Sequence, residues 1–162
     1  MRTAAIAAAA LLASASVAFA QPASITVTVG PELQAKAERS LGVRDVDDLA
    51  RDLRKAVEVR LARTHAYDGA RVELVLADAK PNRPTFQQLG DTPGLSYRSF
   101  GLGGATIEGR MIAPDGTVTP ISYRNYESDI RQSRRGGTWT DAEIAIERFA
   151  HNLSHDDRLA RR

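Results

Sequence analysis

The chain has 162 residues, with 22 Lys and Arg against 20 Asp and Glu, for a formal net charge of +2. This near balance excludes the one-signed field of a protein that seeks nucleic acid by charge, so no nucleic-acid partner is expected. Cysteine is absent, which excludes disulfides, a thiol nucleophile, thiolate metal sites and a lipidated N-terminal cysteine.

Residues 1–20 read as a cleaved signal peptide. Met1-Arg2 is a short positive start, Ala4 to Val17 an alanine-rich apolar stretch, and Ala18-Phe19-Ala20 a small-x-small cleavage pattern. The apolar stretch is shorter than the roughly 20 residues of a spanning helix. No later segment of the sequence is as apolar, so no transmembrane segment is expected in the mature chain. The expected address is periplasmic, or secreted beyond it. The remaining chain of roughly 140 residues suits one domain, placed at 21–155, with 156–162 a disordered tail.

Ser24 to Val29 alternates apolar and hydroxyl residues and predicts a half-buried strand with Ile25, Val27 and Val29 inward. Gly30-Pro31 ends it, and Pro31 suits the first turn of a short helix. Leu33, Ala37 and Leu41 form its apolar stripe. Asp45 is the expected N-cap of a longer helix whose core face is Val46, Leu49, Leu53, Ala56, Val57 and Leu61. Asp68-Gly69 marks the break after it.

Arg71 to Ala77 predicts a second strand with Val72, Leu74 and Leu76 on one face. Lys80-Pro81-Asn82-Arg83-Pro84-Thr85 cannot continue a central strand, because each Pro lacks a ladder donor. A long loop to about Tyr97 is expected, pinned by Phe86, Leu89 and Leu95. Gly101 to Tyr126 reads as a hairpin turning at Pro114-Asp115-Gly116. Ala105, Ile107, Gly109, Met111 and Ala113 share one face of its first strand, and Pro120 marks the second as an edge or bulged strand. Glu127 to Gly137 is a polar, basic connection. Thr140-Asp141-Ala142-Glu143 fits a capping box that opens the last helix, with Trp139 and Ile144 at staple spacing. Ala142, Ala145, Ile146, Phe149 and Leu153 form its buried stripe.

The order β-α-β-β-β-α predicts an α+β fold, a mainly antiparallel four-stranded sheet with two long helices on one face. The first strand-helix-strand unit suits a parallel crossover.

Little in the sequence marks chemistry. His151 and His155 stand four apart and could share a metal, but Asn152 occupies the place of the acid in His-Glu-x-x-His, and two exposed histidines near a helix end are the plainer reading. Gly101-Leu102-Gly103-Gly104 leads into a strand and lacks a phosphate-loop pattern, so it reads as a bulge or a close backbone crossing. No serine lies in a Gly-x-Ser-x-Gly setting. No cofactor is expected. The polar loop residues Lys80, Asn82 and Arg83, with Arg98, form the candidate partner- or anion-binding set, reinforced by Arg131, Arg134 and Arg135, since arginine forks suit carboxylates. The plainer reading there is that Asp78 and Asn82 make local turns while the arginines are solvated.

The element order from Ile25 to Leu153 resembles the small exported α+β domains of proteobacterial envelope proteins of unassigned function, some of them in outer-membrane auxiliary lipoproteins. The resemblance is one of architecture. The expected signal, the compact α+β pattern and the missing catalytic motifs point to a non-catalytic exported accessory or interaction domain, its partner an unidentified envelope protein or small ligand. The alternative is a carrier of a small ligand or anion beneath the 78–97 loop, and a hydrolase ranks after both.

Overall fold

In the computed structural model, residues 22–133 and 136–155 are described. The expected signal peptide, the tail 156–162, Arg134 and Arg135 lie outside them.

Alternation of β-branched and hydroxyl residues forms β1, Ser24–Val29. Gly30 and Pro31 then turn the chain into α1, Pro31–Lys36, which continues as a π-helical turn through Ala37–Leu41. Leu33, Ala37 and Leu41 are all buried, as the stripe predicts. Gly42, at φ 95°, supplies the bend into α2, Val43–Thr64. Asp45 therefore lies in the first turn of α2 and is not its N-cap. Its carboxylate instead accepts the indole N–H of Trp139 at 3.2 Å. All six predicted core positions of α2 are buried. The helix stops at His65, in the left-handed region at φ 55°, ahead of the expected break at Asp68-Gly69.

β2 spans Arg71–Lys80, three residues longer than its alternating pattern suggests. It is followed by α3, Phe86–Asp91, within the stretch expected to be loop. β3, Gly104–Ile112, and β4, Val118–Tyr126, form the predicted hairpin. Thr117 N–H donates to the Asp115 carboxylate at 2.8 Å, and Gly116 takes φ 86°. A short α4, Ile130–Ser133, lies in the basic connection, and α5 spans Thr140–Leu153.

The sheet order is β1-β2-β3-β4. β1 runs parallel to β2, and the other two pairings are antiparallel, so the fold is α+β with a mixed four-stranded sheet. The crossover through α1 and α2 makes the parallel pair possible, since no tight turn can join parallel strands. Helices α2 and α5 pack on each other and on the sheet face that carries Val72, Leu74, Leu76, Ala105, Ile107 and Ile121. Pro120 sits on the edge strand β4, where its missing N–H breaks no ladder.

One irregularity positions the site. The β2–β3 register shifts between Leu76 and Asp78, so Ala77 is a bulge. Leu76 pairs with Ile107 on the core side, and Asp78 then pairs with Thr106 on the opposite face. Without the extra residue, the alternation from Leu74 and Leu76 would turn Asp78 toward the helices.

Candidate functional site

The segment from Asp78 to Gly101 surrounds an open cleft of about 420 Å³. The end of β2 and the π-helical turn form its base, with Asp78, Lys80 and Ser40 among the lining residues. Asn82, Leu95 and Phe100 line it from the loop. The same loop displays three exposed aromatic rings: Phe86 at 77%, Tyr97 at 48% and Phe100 at 42% exposure. Phe86 and Tyr97 meet edge to face, with ring centroids 5.8 Å apart.

The loop is held from within by polar groups. Asn82 is 1% exposed. Its backbone N–H donates to Thr138 O at 2.7 Å, its carbonyl accepts Gly101 N–H at 2.7 Å, and its Oδ1 accepts Asp141 N–H at 2.7 Å. Asp141 in turn accepts Gly103 N–H at 2.9 Å. A Cβ on Gly103 would stand 2.8 Å from both Asn82 Oδ1 and Lys80 O, so the glycine run is the close backbone crossing its pattern suggests. The Nδ2 amide of Asn82 is buried and has no hydrogen-bond partner among the described residues.

Asn82 therefore caps α5 across the fold, and the predicted capping box at Thr140 does not form. Thr140 is the first helical residue, and its hydroxyl accepts Gly137 N–H at 2.8 Å. Glu143 N–H goes to Trp139 O. The staple is absent too, since Ile144 is 41% exposed while Trp139 is buried. A capping box does form at α3, where Thr85 Oγ1 accepts Gln88 N–H at 3.2 Å and the Gln88 side chain accepts Thr85 N–H at 3.0 Å. This cap directs Phe86 outward, so it does not pin the loop. The buried residues there are Asn82, Pro84 and Thr85.

Arg83 is a strut. Its Nε donates to Gly136 O at 2.6 Å and its Nη1 to Tyr97 O at 2.8 Å, binding two separate loops. Lys80 is exposed at the end of β2, beside the cleft. Arg98 is exposed on the far part of the loop, and its backbone N–H takes the Ser96 hydroxyl as acceptor at 3.2 Å. Arg131 is engaged locally with Asp129 at 2.8 Å. The candidate set thus divides: Lys80 and Asn82 border the cleft, Arg83 braces its wall, and Arg98 and Arg131 are not brought to it.

Sequence reasoning missed the role of Asp78, which makes no local turn. Lys36 Nζ donates to its Oδ1 at 2.8 Å and the Tyr126 hydroxyl to its Oδ2 at 2.7 Å, with Thr106 Oγ1 3.0 Å from that hydroxyl. Burial alone would raise the Asp78 carboxyl, but the donors Lys36 and Tyr126 outweigh it and hold the group below its ordinary value of 3.8. Burial, helped by the neighbouring carboxylate, pushes the Tyr126 phenol up to about 12. Asp78 is thus an ionised acceptor with both oxygens engaged, and Tyr126 a neutral donor. This arrangement ties α1 to the sheet and does not present a poised base.

His151 and His155 stack with ring centroids 4.4 Å apart. The His155 Nδ1 lies 2.8 Å from both the His151 carbonyl and the Ser154 hydroxyl, so that nitrogen is engaged with its own helix end. Among the described residues, no group of three His, Cys, Asp or Glu is placed to hold a metal. No helix among them is long and apolar enough to cross a membrane.

No family model, curated protein or solved structure matches this chain.

Proposed function

We propose that this chain is a non-catalytic exported accessory domain that binds an envelope protein through the β2–β3 loop. The observation that carries this reading is the cluster of exposed rings, Phe86, Tyr97 and Phe100, on a loop whose backbone is anchored by Asn82 and Arg83. Exposed aromatic groups on a rigid support lose little entropy on binding and favour protein contacts. The polar groups beside them act as braces: Arg83 holds carbonyls, and Asp78 is occupied by Lys36 and Tyr126.

A second reading rests on the cleft itself. Its volume of about 420 Å³ falls within the range of small-molecule sites, and Lys80 supplies a cation at its border. On that reading the protein carries a small ligand or anion, with the loop as its wall.

Photo-crosslinking in the producing cell separates the two. A crosslinking side chain at position 86 or 97 is expected to capture one discrete protein, while the same group at Ser122, on the outside of β4, captures none. Capture from neither loop position, together with a small molecule retained by the purified protein, overturns the interaction reading in favour of the carrier.

A further inference from the structure

The two edges of the sheet differ in how they meet solvent. On β4, Pro120 has no N–H to offer, and the charged Arg124 stands on the strand. These are the usual devices that stop an edge from pairing with another chain. β1 has neither. Ser-Ile-Thr-Val-Thr-Val is β-branched from Ile25 to Val29, uncharged, and free of proline and glycine. Among the described residues, β1 pairs with β2 alone, leaving its outer row of N–H and C=O groups open.

The order of residues in β1 selects the occupant of that edge. Residues 25–29 read nearly the same in both directions about Val27: Ile-Thr-Val-Thr-Val. We propose that β1 pairs antiparallel with the β1 of a second copy of this chain, on a two-fold axis through Val27, making one continuous eight-stranded sheet. In an antiparallel pair, directly opposed residues point to the same face, so inward residues must oppose inward ones. Centring on Val27 meets this requirement along the whole strand. Val27 opposes Val27 and Ile25 opposes Val29 on the helix side. Thr26 opposes Thr28 on the open face. β-branched pairs and Thr–Thr pairs are among the favourable cross-strand pairs, and no like charges meet. The interface is isologous and closes at two copies.

The flank of the edge fits the same occupant. On the helix side, β1 borders an open groove of about 450 Å³ lined by Pro22, Ser24, Ile25, Glu58, Val59 and Ala62. Val59 is 40% exposed there. Glu58, its acidic member, has Arg54 as an ion-pair partner at 3.5 Å. A two-fold axis perpendicular to the sheet brings the same groove of the second copy alongside, with Ile25 and Val59 among its apolar members. One short strand pair and its flank bury less than the roughly 1,200 Å² of a standard stable interface, so the association is weak and depends on concentration.

The test uses sedimentation equilibrium on the protein as recovered from the cell and on two double variants. Thr26→Lys with Thr28→Lys, and Thr26→Glu with Thr28→Glu, place like charges opposite one another across the dimer; within one copy position 26 stands beside Glu73, which Arg110 already pairs at 2.7 Å. Both positions are exposed in the monomer, and circular dichroism checks that each variant keeps its fold. The unmodified protein is expected to dimerise as its concentration rises. Each variant alone is expected to associate about tenfold more weakly or worse, and a one-to-one mixture is expected to restore the dimer. An unmodified protein that stays monomeric up to its solubility limit overturns the proposal. So do variants that dimerise as well as the unmodified chain. A mixture that fails to recover overturns the Val27-centred register.

Discussion

The Oδ1 of Asn82 accepts the backbone N–H of Asp141 at 2.7 Å, so a residue of the β2–β3 loop caps a helix that begins 58 positions later in the chain, at Thr140. With no local side-chain cap at Trp139, this bond satisfies one of the free donors at the start of α5. Asn82→Ala removes it, while the backbone bonds of residue 82 to Thr138 and Gly101 and the bond from Gly103 to Asp141 remain. The expected cost is about 1–3 kcal/mol in denaturant unfolding, combining a lost cap with a buried donor left unpaired. Thr140→Ala loses one exposed bond from Gly137 and is expected to cost less than about 1 kcal/mol. The reverse ranking would mean that Thr140 caps its own helix in solution.

The Asp78–Tyr126 pair gives stability a pH dependence at both extremes. Tyr126 holds its proton more tightly in the folded state, at about 12 against an ordinary 10. Its contribution is therefore complete below pH 10 and is lost as the pH rises from there through about 12. Asp78 behaves in the opposite sense. Its folded value lies below 3.8, so its contribution is complete above that pH and is lost as the pH falls through the folded value. Tyr126→Phe is expected to remove part of the alkaline loss and to raise the Asp78 carboxyl, which keeps Lys36 but loses one donor. NMR titration of the Asp78 carboxyl carbon in both proteins reads the second effect directly. An unmoved titration would show that the Tyr126 hydroxyl does not bond Asp78 in solution.

The parts legible in the sequence are those determined by near neighbours. The periodic stripe Val46 to Leu61, the stripe Ala142 to Leu153, the alternation in β1 and the Asp115-Gly116 turn each predict an element that the structure contains. The parts not legible depend on distant partners or on strand parity. Thr140 and Glu143 have the spacing of a capping box, but Gly137 takes the Thr140 hydroxyl and Asn82 arrives from elsewhere. Asp78 looks like a turn residue next to Lys80-Pro81, and only the bulge at Ala77 turns it toward Tyr126. The Thr85–Gln88 cap carries the usual hydroxyl-x-x-Gln signature and could have been read, but the flanking Pro84 and Gly90 favour a loop reading. For the cleft, Lys80 and Asn82 were legible as candidates, whereas the roles of Lys36, Asp78 and Tyr126 required the three-dimensional register.

Gly109 is where the central pairing of the sheet has no slack. It sits in β3 at φ 157°, opposite Leu74, and a Cβ there would run into the backbone carbonyl of Glu73. Backbone cannot yield as a flexible side chain can, so Gly109→Ala must shift β2 against β3. A loss of about 3 kcal/mol or more is expected. Gly101→Ala is the control, because open space surrounds that position and its φ is ordinary. It is expected to leave the unfolding midpoint within about 0.5 kcal/mol of the parent. Comparable losses at both glycines would imply that the close approach at Gly109 relaxes in solution.

Phe86 offers a test of the proposed contact surface that is separable from the fold. Its ring is 77% exposed and meets Tyr97 edge to face, while the α3 cap beneath it depends on Thr85 and Gln88. Removing the ring exposes no core and breaks no backbone bond. Phe86→Ala is therefore expected to change unfolding stability by less than about 1 kcal/mol, the scale of one exposed aromatic pair. Its effect should fall on association. In a Phe86→Ala background, a crosslinking side chain at position 97 should capture the partner protein several-fold less efficiently than in the parent. A variant that unfolds readily would make the ring pair part of the fold. A stable variant with unchanged capture would move the contact surface away from this loop.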